Sequence, residues 1–157
     1  KHSPCKNRVK IIQTSFQQFV SATTEKFDLI VCNPPYYFNF YKSNYSNLSI
    51  AKHNDLLPFD DLIKGTLKLL TKNGKFALIL PVNQAQKFRD EANAAKLYLT
   101  HLTQIHPRQF QSPQRTLMEF SKLNSAFYQD SVSIQKAEDN DYTDEYKNFT
   151  KNFYLNF

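Results

Sequence analysis

The sequence predicts an α/β layer fold with a mainly parallel sheet and an antiparallel hairpin at one edge. Three observations carry this expectation. Residues 27–32 (FDLIVC) and 75–81 (KFALILP) are almost continuously apolar, the pattern of strands covered on both faces. Between them, Phe59, Leu62, Ile63, Thr66, Leu67 and Leu70 fall on one face of a helix spanning 58–70. Strand and helix then alternate through most of the chain, as they do when helices cover a parallel sheet.

The elements follow in order. Residues 8–13 (RVKIIQ) have a β-branched apolar centre and read as a short strand. Residues 16–22 (FQQFVSA) read as a helical turn. The strand at 27–32 stops at Asn33-Pro34-Pro35, because consecutive prolines remove ladder donors. Residues 36–54 are polar and aromatic without a period and read as a long loop, a length usually functional or disordered. The helix at 58–70 carries Asp60 and Asp61 near its N-terminus, where the helix dipole favours anions. Lys72-Asn73-Gly74 closes it, with Gly74 as the expected left-handed residue. Residues 83–95 form a helix, and residues 98–106 alternate as a strand does. Two late strands at 115–121 and 131–136 lie close together and suggest the edge hairpin. Residues 143–153 carry acids early and lysines late, which suits a terminal helix. The acidic stretch 138–145 reads as a surface connection. No repeat or composition shift divides the 157 residues, so they read as one domain.

Composition narrows the function classes. Lys and Arg number 20 against 14 Asp and Glu, a formal charge of +6. That balance suits a phosphate-rich partner such as RNA, and equally a merely basic protein. Aromatic residues reach 15%, and flat side chains can stack on bases, although most must be core. No apolar run approaches the roughly 18 residues of a membrane helix, which excludes a helical span. Cys5 and Cys32 show no pattern of a bridge, and Cys32 should be buried. No CxxC or His/Cys cluster occurs, so no metal is expected; a cytoplasmic, reducing location fits. The first residues lack the apolar core of a signal peptide, and the single Met is Met118. The sequence is therefore expected to begin inside a longer protein.

Asn33-Pro34-Pro35-Tyr36 is the segment that carries chemistry. In open parallel sheets, ligands bind beyond the carboxyl ends of the strands, and this tetrapeptide falls just past one. Methylating an exocyclic amine needs its lone pair, which in adenine is delocalised into the ring. Two acceptors on the amino hydrogens, the Asn33 side-chain oxygen and the Pro34 carbonyl, can hold the nitrogen nearer to tetrahedral and free that pair. The prolines stiffen the loop before substrate arrives. Tyr36 offers a face on which an extruded base can stack. No general base is required, since the amine can lose its proton to water after transfer. A bare Asn-Pro-Pro is also an ordinary turn signal.

Residues 27–37 (FDLIVCNPPYY) resemble motif IV of amino-methyltransferases with the Rossmann-like class I fold. Further segments narrow the resemblance: Ala51-Lys52-His53, residues 74–81 (GKFALILP), residues 115–120 (RTLMEF), residues 142–146 (YTDEY) and residues 153–155 (FYL). Together they are similar to the bacterial valine-tRNA adenine N6-methyltransferase family, over nearly the whole chain. The resemblance implies S-adenosylmethionine as cofactor and adenosine 37 of valine tRNA as substrate. It makes Asn33, Pro34, Pro35 and Tyr36 catalytic, and Ser15, Phe16 and Asn33 cofactor-binding. Two departures stand out. Nothing matches the glycine-rich cofactor loop, which in the family lies upstream. Residues 1–157 therefore read as the C-terminal two-thirds of one catalytic domain, with N-terminal strands missing and the fragment alone inactive. Ser15 also stands where the family has an Asp that contacts the cofactor adenine.

Other residues have two readings each. Lys52 and His53 are RNA contacts in the family reading or a solvated basic pair. Tyr37, Phe38, Phe40, Tyr41 and Tyr45 form a stacking platform for unpaired bases or a lid packed on itself. Arg115 reaches an RNA phosphate or is a surface charge. His101 and His106 have no partner at metal spacing and read as structural or exposed, and Asp28 as a strand polar residue rather than an acid catalyst. Two further function classes compete. One is methyl transfer to glutamine N5 or to DNA adenine, which Asn-Pro-Pro-Tyr also serves. The other is a non-catalytic RNA-binding module of the same fold.

Overall fold

A computed structural model describes residues 8–34 and 57–153. Helix α1 (Phe16–Ala22) leads into strand β1 (Phe27–Cys32). Then come α2 (Phe59–Leu69), β2 (Leu70–Pro81), α3 (Val82–Ala94), β3 (Tyr98–Arg108), β4 (Arg115–Ser121), β5 (Tyr128–Gln135) and α4 (Asp144–Thr150). The five strands form one sheet in the order β1-β2-β4-β3-β5. β1 runs parallel to β2, and β5 parallel to β3. β4 lies antiparallel between β2 and β3.

The antiparallel strand is thus present, but within the described sheet it sits inside rather than at an edge. β4 folds back from β3 through a short turn and slots against β2, leaving β5 to take the outer position. The two late strands are not neighbours. Register follows burial: Phe76, Leu78 and Leu80 of β2 turn to the helices, paired with Phe120, Met118 and Thr116 of β4. Those six residues alternate with exposed or half-buried ones, so a slip by one residue would reverse both faces.

Packing is centred on α3. Phe88 is fully buried and meets Phe59 of α2 edge-on at 5.0 Å and Phe120 of β4 at 5.5 Å. Phe76 lies 6.3 Å from both Phe88 and Phe120. These rings, with Leu62, Ile63, Leu97 and Met118, tie α2 and α3 to one face of the sheet.

Three expectations need correction. Residues 8–13 carry no strand, and Val9, Ile11 and Ile12 are exposed, Ile11 by 91%. Strand propensity is realised only against a neighbour that packs and pairs with it, and no described strand runs beside this segment. Residues 27–32 do form a parallel strand, but only one face is covered by described residues. Ile30 and Cys32 pack on the core, while Leu29 and Val31 are 59% and 72% exposed. Gly74 does not close a helix. The helix ends at Leu69, and lysines serve its last carbonyls: Lys26 Nζ donates to Lys68 O, and Lys122 Nζ to Leu70 O at 2.6 Å. Burial, and then Lys26 beside it, pushes the Lys122 ammonium pKa down. Gly74 is instead a strand residue without positive φ. A Cβ there would stand 2.8 Å from Phe27 O, so the residue is small to let β1 approach β2.

A pH-dependent tie closes the C-terminal end. The Asp141 carboxylate accepts from Lys147 Nζ at 2.8 Å, Lys136 Nζ at 3.1 Å and the Tyr142 N–H at 2.8 Å. These partners lower its pKa from 3.8 to about 2. A depressed carboxylate contributes its full stabilisation above the unfolded value of 3.8 and loses it as pH falls through about 2. The melting temperature should fall over that window, and Asp141→Asn should flatten this part of the profile. The tie is exposed, so high salt should shrink the difference. Identical acid profiles for the two proteins at low salt would contradict the assignment.

Candidate active site

Asn33 and Pro34 leave the sheet at its carboxyl edge. Cys32 ends β1 opposite Leu78 of β2, and the chain turns out from there. Pro34 is buried and Asn33 is exposed. One residue anchors the turn while its neighbour lies at the surface. The Pro34 ring fixes φ, and a proline next in the sequence restricts ψ of Pro34 to the extended range. Pro35, Tyr36, Tyr37, Lys52 and His53 lie outside the described residues, as do the aromatics at 38, 40, 41 and 45.

Neighbouring polar groups have structural work. The Asp28 carboxylate accepts from Thr71 Oγ1 at 2.8 Å, as a strand polar residue does. Cys32 is half-buried, and burial raises its thiol pKa, which keeps the sulfur neutral and unreactive near pH 7.

Helix α1 brings Phe16 to the same region. Ser15 is its N-cap: the hydroxyl accepts the Gln18 N–H at 3.2 Å, and the Gln18 side-chain oxygen accepts the Ser15 N–H at 3.4 Å. This reciprocal pair satisfies helix donors that would otherwise face solvent unpaired. α1 is held on α2 because Gly65 has no side chain; a Cβ there would fall 2.3 Å from Phe16 Cε1. The Gln17 side-chain amide also donates to Asp61 at 3.0 Å. An apolar cavity of about 370 Å³ results, lined by Phe16, Phe19, Leu57 and Leu62 together with Phe27 and residues 29–32 of β1. The structure therefore gathers Phe16 and the strand that presents Asn33 around one cavity, with Ser15 at the start of the helix beside it.

Arg115 begins β4, opposite Pro81 of β2, and is exposed. It shares the carboxyl edge of β1 and β2 two strand positions from β1, about 10 Å at ordinary strand spacing. His101 lies 3.2 Å from an Asp130 oxygen, and its ring sits 4.9 Å from that of Tyr128. Among the described residues no group of three His, Cys, Asp or Glu side chains is placed to hold a metal. No described helix is long and apolar enough to cross a membrane.

Residues 2–113 match the Eco57I restriction-modification methylase family. The chain belongs to that family. Curated relatives run almost the whole length of the chain. One is the tRNA1(Val) (adenine(37)-N6)-methyltransferase of Flavobacterium psychrophilum, 34% identical over 155 residues, which are 99% of this chain and 66% of that protein. The Aliivibrio fischeri protein of the same name is 33% identical over 98% of this chain and 64% of its own length. That of Bacteroides thetaiotaomicron is 31% identical over 98% and 63%. The chain thus spans slightly less than two thirds of these relatives. Among solved structures, a predicted O-methyltransferase from Agrobacterium tumefaciens superposes with a TM-score of 0.62 at 18% identity, covering 84% of this chain and 55% of that one. At that identity the likeness establishes the fold alone, and it bears out the Rossmann-like α/β class. The resemblance to the valine-tRNA adenine N6-methyltransferases is borne out by the names of these relatives.

Sequence reading missed the turn between β3 and β4. Phe110, in the stretch Arg108-Gln-Phe-Gln-Ser-Pro113, is 97% exposed. Its signal was faint: an aromatic residue between two glutamines, ahead of a Ser-Pro turn pair.

Proposed function

We propose that the chain is the C-terminal two-thirds of one catalytic domain that methylates the exocyclic N6 of an adenine in RNA. The substrate in this reading is adenosine 37 of a valine tRNA. The observation that carries it is the pairing of an exposed Asn33 with a buried Pro34 at the carboxyl end of β1. An amide oxygen and a fixed carbonyl are the two acceptors that the amino group needs. Pro35 and Tyr36 come next in the sequence, and in this reading Tyr36 is the stacking face for the base. Tyr37, Lys52, His53 and Arg115 contact the RNA, which the net charge of +6 favours. The location is the cytoplasm, where tRNA is found.

S-adenosylmethionine supplies an electrophilic methyl on sulfur when it is bound. The residues present fit such a group. The Phe16 ring and the apolar cavity suit an adenine face, and the Ser15 oxygen keeps an acceptor site beyond its capping bond for the adenine amino group. Asn33 directly follows Cys32 of the cavity wall, from where it can orient acceptor and cofactor together. Exposed Leu29 and Val31 support the domain reading, because a sheet face of that kind is normally covered.

Ser15→Asp tests the cofactor assignment. Asp caps a helix as well as Ser, so α1 should persist. A charged acceptor forms a stronger hydrogen bond to an adenine amino group, and affinity for S-adenosylmethionine should rise about tenfold in calorimetry. An unchanged affinity, with cofactor otherwise bound, removes Ser15 from the site.

The description of the matched family supports a second reading, adenine methylation in DNA. Glutamine N5 of a protein is a third acceptor of the same motif, and RNA binding without catalysis a fourth possibility. Labelled methyl transfer by the full-length protein to unmodified valine tRNA, duplex DNA and a release-factor protein separates them. Transfer to tRNA at N6 is expected. Transfer to DNA or protein alone overturns the substrate, and binding of tRNA without cofactor binding overturns the enzyme reading.

A further inference from the structure

The β3–β4 turn carries a conformation that its sequence makes costly. The Gln111 N–H donates to Arg108 O at 3.2 Å, closing a turn with Phe110 at its third position. Phe110 has φ 63°, in the left-handed region where such turns take glycine or asparagine. A bulky residue there is strained, and this one is also 97% exposed. Strain and exposure of a large apolar ring both oppose folding, so neither is explained by stability.

The turn is firmly mounted. The Arg108 guanidinium donates to Lys136 O at 2.9 Å, Asp139 O at 2.5 Å and Asn140 Oδ1 at 2.9 Å. The Gln109 N–H donates to Gln135 O at 2.9 Å, and the Gln109 side-chain oxygen accepts from the Ala137 N–H at 3.2 Å. The ring is therefore held out on a rigid support, as a binding surface is when its ordering cost is already met.

Beside it opens a shallow, solvent-open groove of about 510 Å³ whose wall is divided evenly between polar and apolar surface. Ser112, Ser131 and Ser133 bring hydroxyls, and Gln109 and Gln111 bring amides. His106 Nδ1–H donates to Gln111 O at 2.6 Å, which in the neutral ring makes Nε2 an acceptor. Arg108 pairs with Gln135, Ile105 with Arg115, and Arg115 with Pro81, so the turn emerges at the same sheet edge as Asn33. Three strand positions separate β1 from β3, about 14 Å.

We propose that Phe110 and this groove form a second nucleotide subsite, where an unpaired base of the RNA stacks on the ring and hydrogen-bonds to the hydroxyls and amides of the wall. It rests on the RNA reading given above and adds to it a site that reads a base other than the methylated one. A flat exposed ring over hydroxyls and amides matches a base, which has one apolar face and polar edges.

The test uses the full-length protein and an anticodon stem-loop RNA of valine tRNA as the probe. Phe110→Gly should weaken RNA binding about tenfold while leaving the melting temperature equal or higher, since glycine relieves the positive φ. Phe110→Tyr should bind within about twofold of the unchanged protein, because it keeps the stacking face. The emission that Phe110→Trp adds, read against the unchanged protein, should be quenched as RNA binds. Unchanged RNA affinity in Phe110→Gly overturns the subsite and leaves the methyl-transfer reading intact. An equal loss in Phe110→Tyr overturns stacking as its basis. A protein acceptor whose binding needs Phe110, with RNA affinity unaffected, also overturns it. Failure of the unchanged protein to bind RNA at all overturns both readings, and that arm tells the two failures apart.

Discussion

Asn33→Ala should lower kcat for methyl transfer about 100- to 1,000-fold in the full-length protein, with little change in melting temperature. Asn33 is exposed, so truncating it opens no cavity in the core. What is lost is one of two acceptors on the amino group, leaving the Pro34 carbonyl alone. The lone pair then stays partly in the ring when the methyl group arrives. Because this contact strengthens only as the nitrogen becomes tetrahedral, the loss should fall mainly on kcat rather than KM. Asn33→Asp keeps an acceptor oxygen but adds charge and removes the amide donor, and should lie between the two. Single-turnover transfer of labelled methyl separates chemistry from product release. A variant within about threefold of the unchanged protein would exclude Asn33 from the chemical step.

Phe88→Ala should cost about 3–5 kcal/mol of folding stability, the largest loss expected from any single truncation in this core. Phe88 is fully buried at the junction of α2, α3, β2 and β4, in edge-on contact with Phe59 and Phe120. Removing the ring takes a partner from each of them at once. The sheet and two helices enclose the space, so collapse can fill little of it. Phe88→Leu keeps much of the apolar volume and should cost less. Denaturant unfolding of the full-length protein measures both. A loss under about 1 kcal/mol for alanine would mean that the cluster relaxes freely, against the packing described.

The fold class and most of its elements were legible in the sequence because burial leaves a period. β4 matches its expected limits of 115–121, and α2 and α3 fall within one residue of theirs. The apolar runs located β1 and the core of β2. Residues 8–13 misled because β-branched composition reports a preference and not a neighbour. Gly74 misled because Lys-Asn-Gly is both a helix-closing signal and a strand that must be approached closely; only the Phe27 carbonyl beside it decides. The order of β3, β4 and β5 depends on which strand enters the gap beside β2, and pairwise patterns do not encode that. In the site, Asn33 and Pro34 were visible as a motif, and Phe16 only through the family. Phe110 was invisible because an exposed aromatic in a loop acquires meaning from its φ and its mount.

β1 holds its place in the fold less firmly than its neighbours. It pairs with β2 alone among the described strands, and Leu29 and Val31 leave one of its faces exposed. β2 and β4 instead have a strand on each side and bury Phe76, Leu78, Met118 and Phe120. The strand that presents Asn33 should therefore open before them, and its amides should exchange hydrogen sooner than those of β2 and β4.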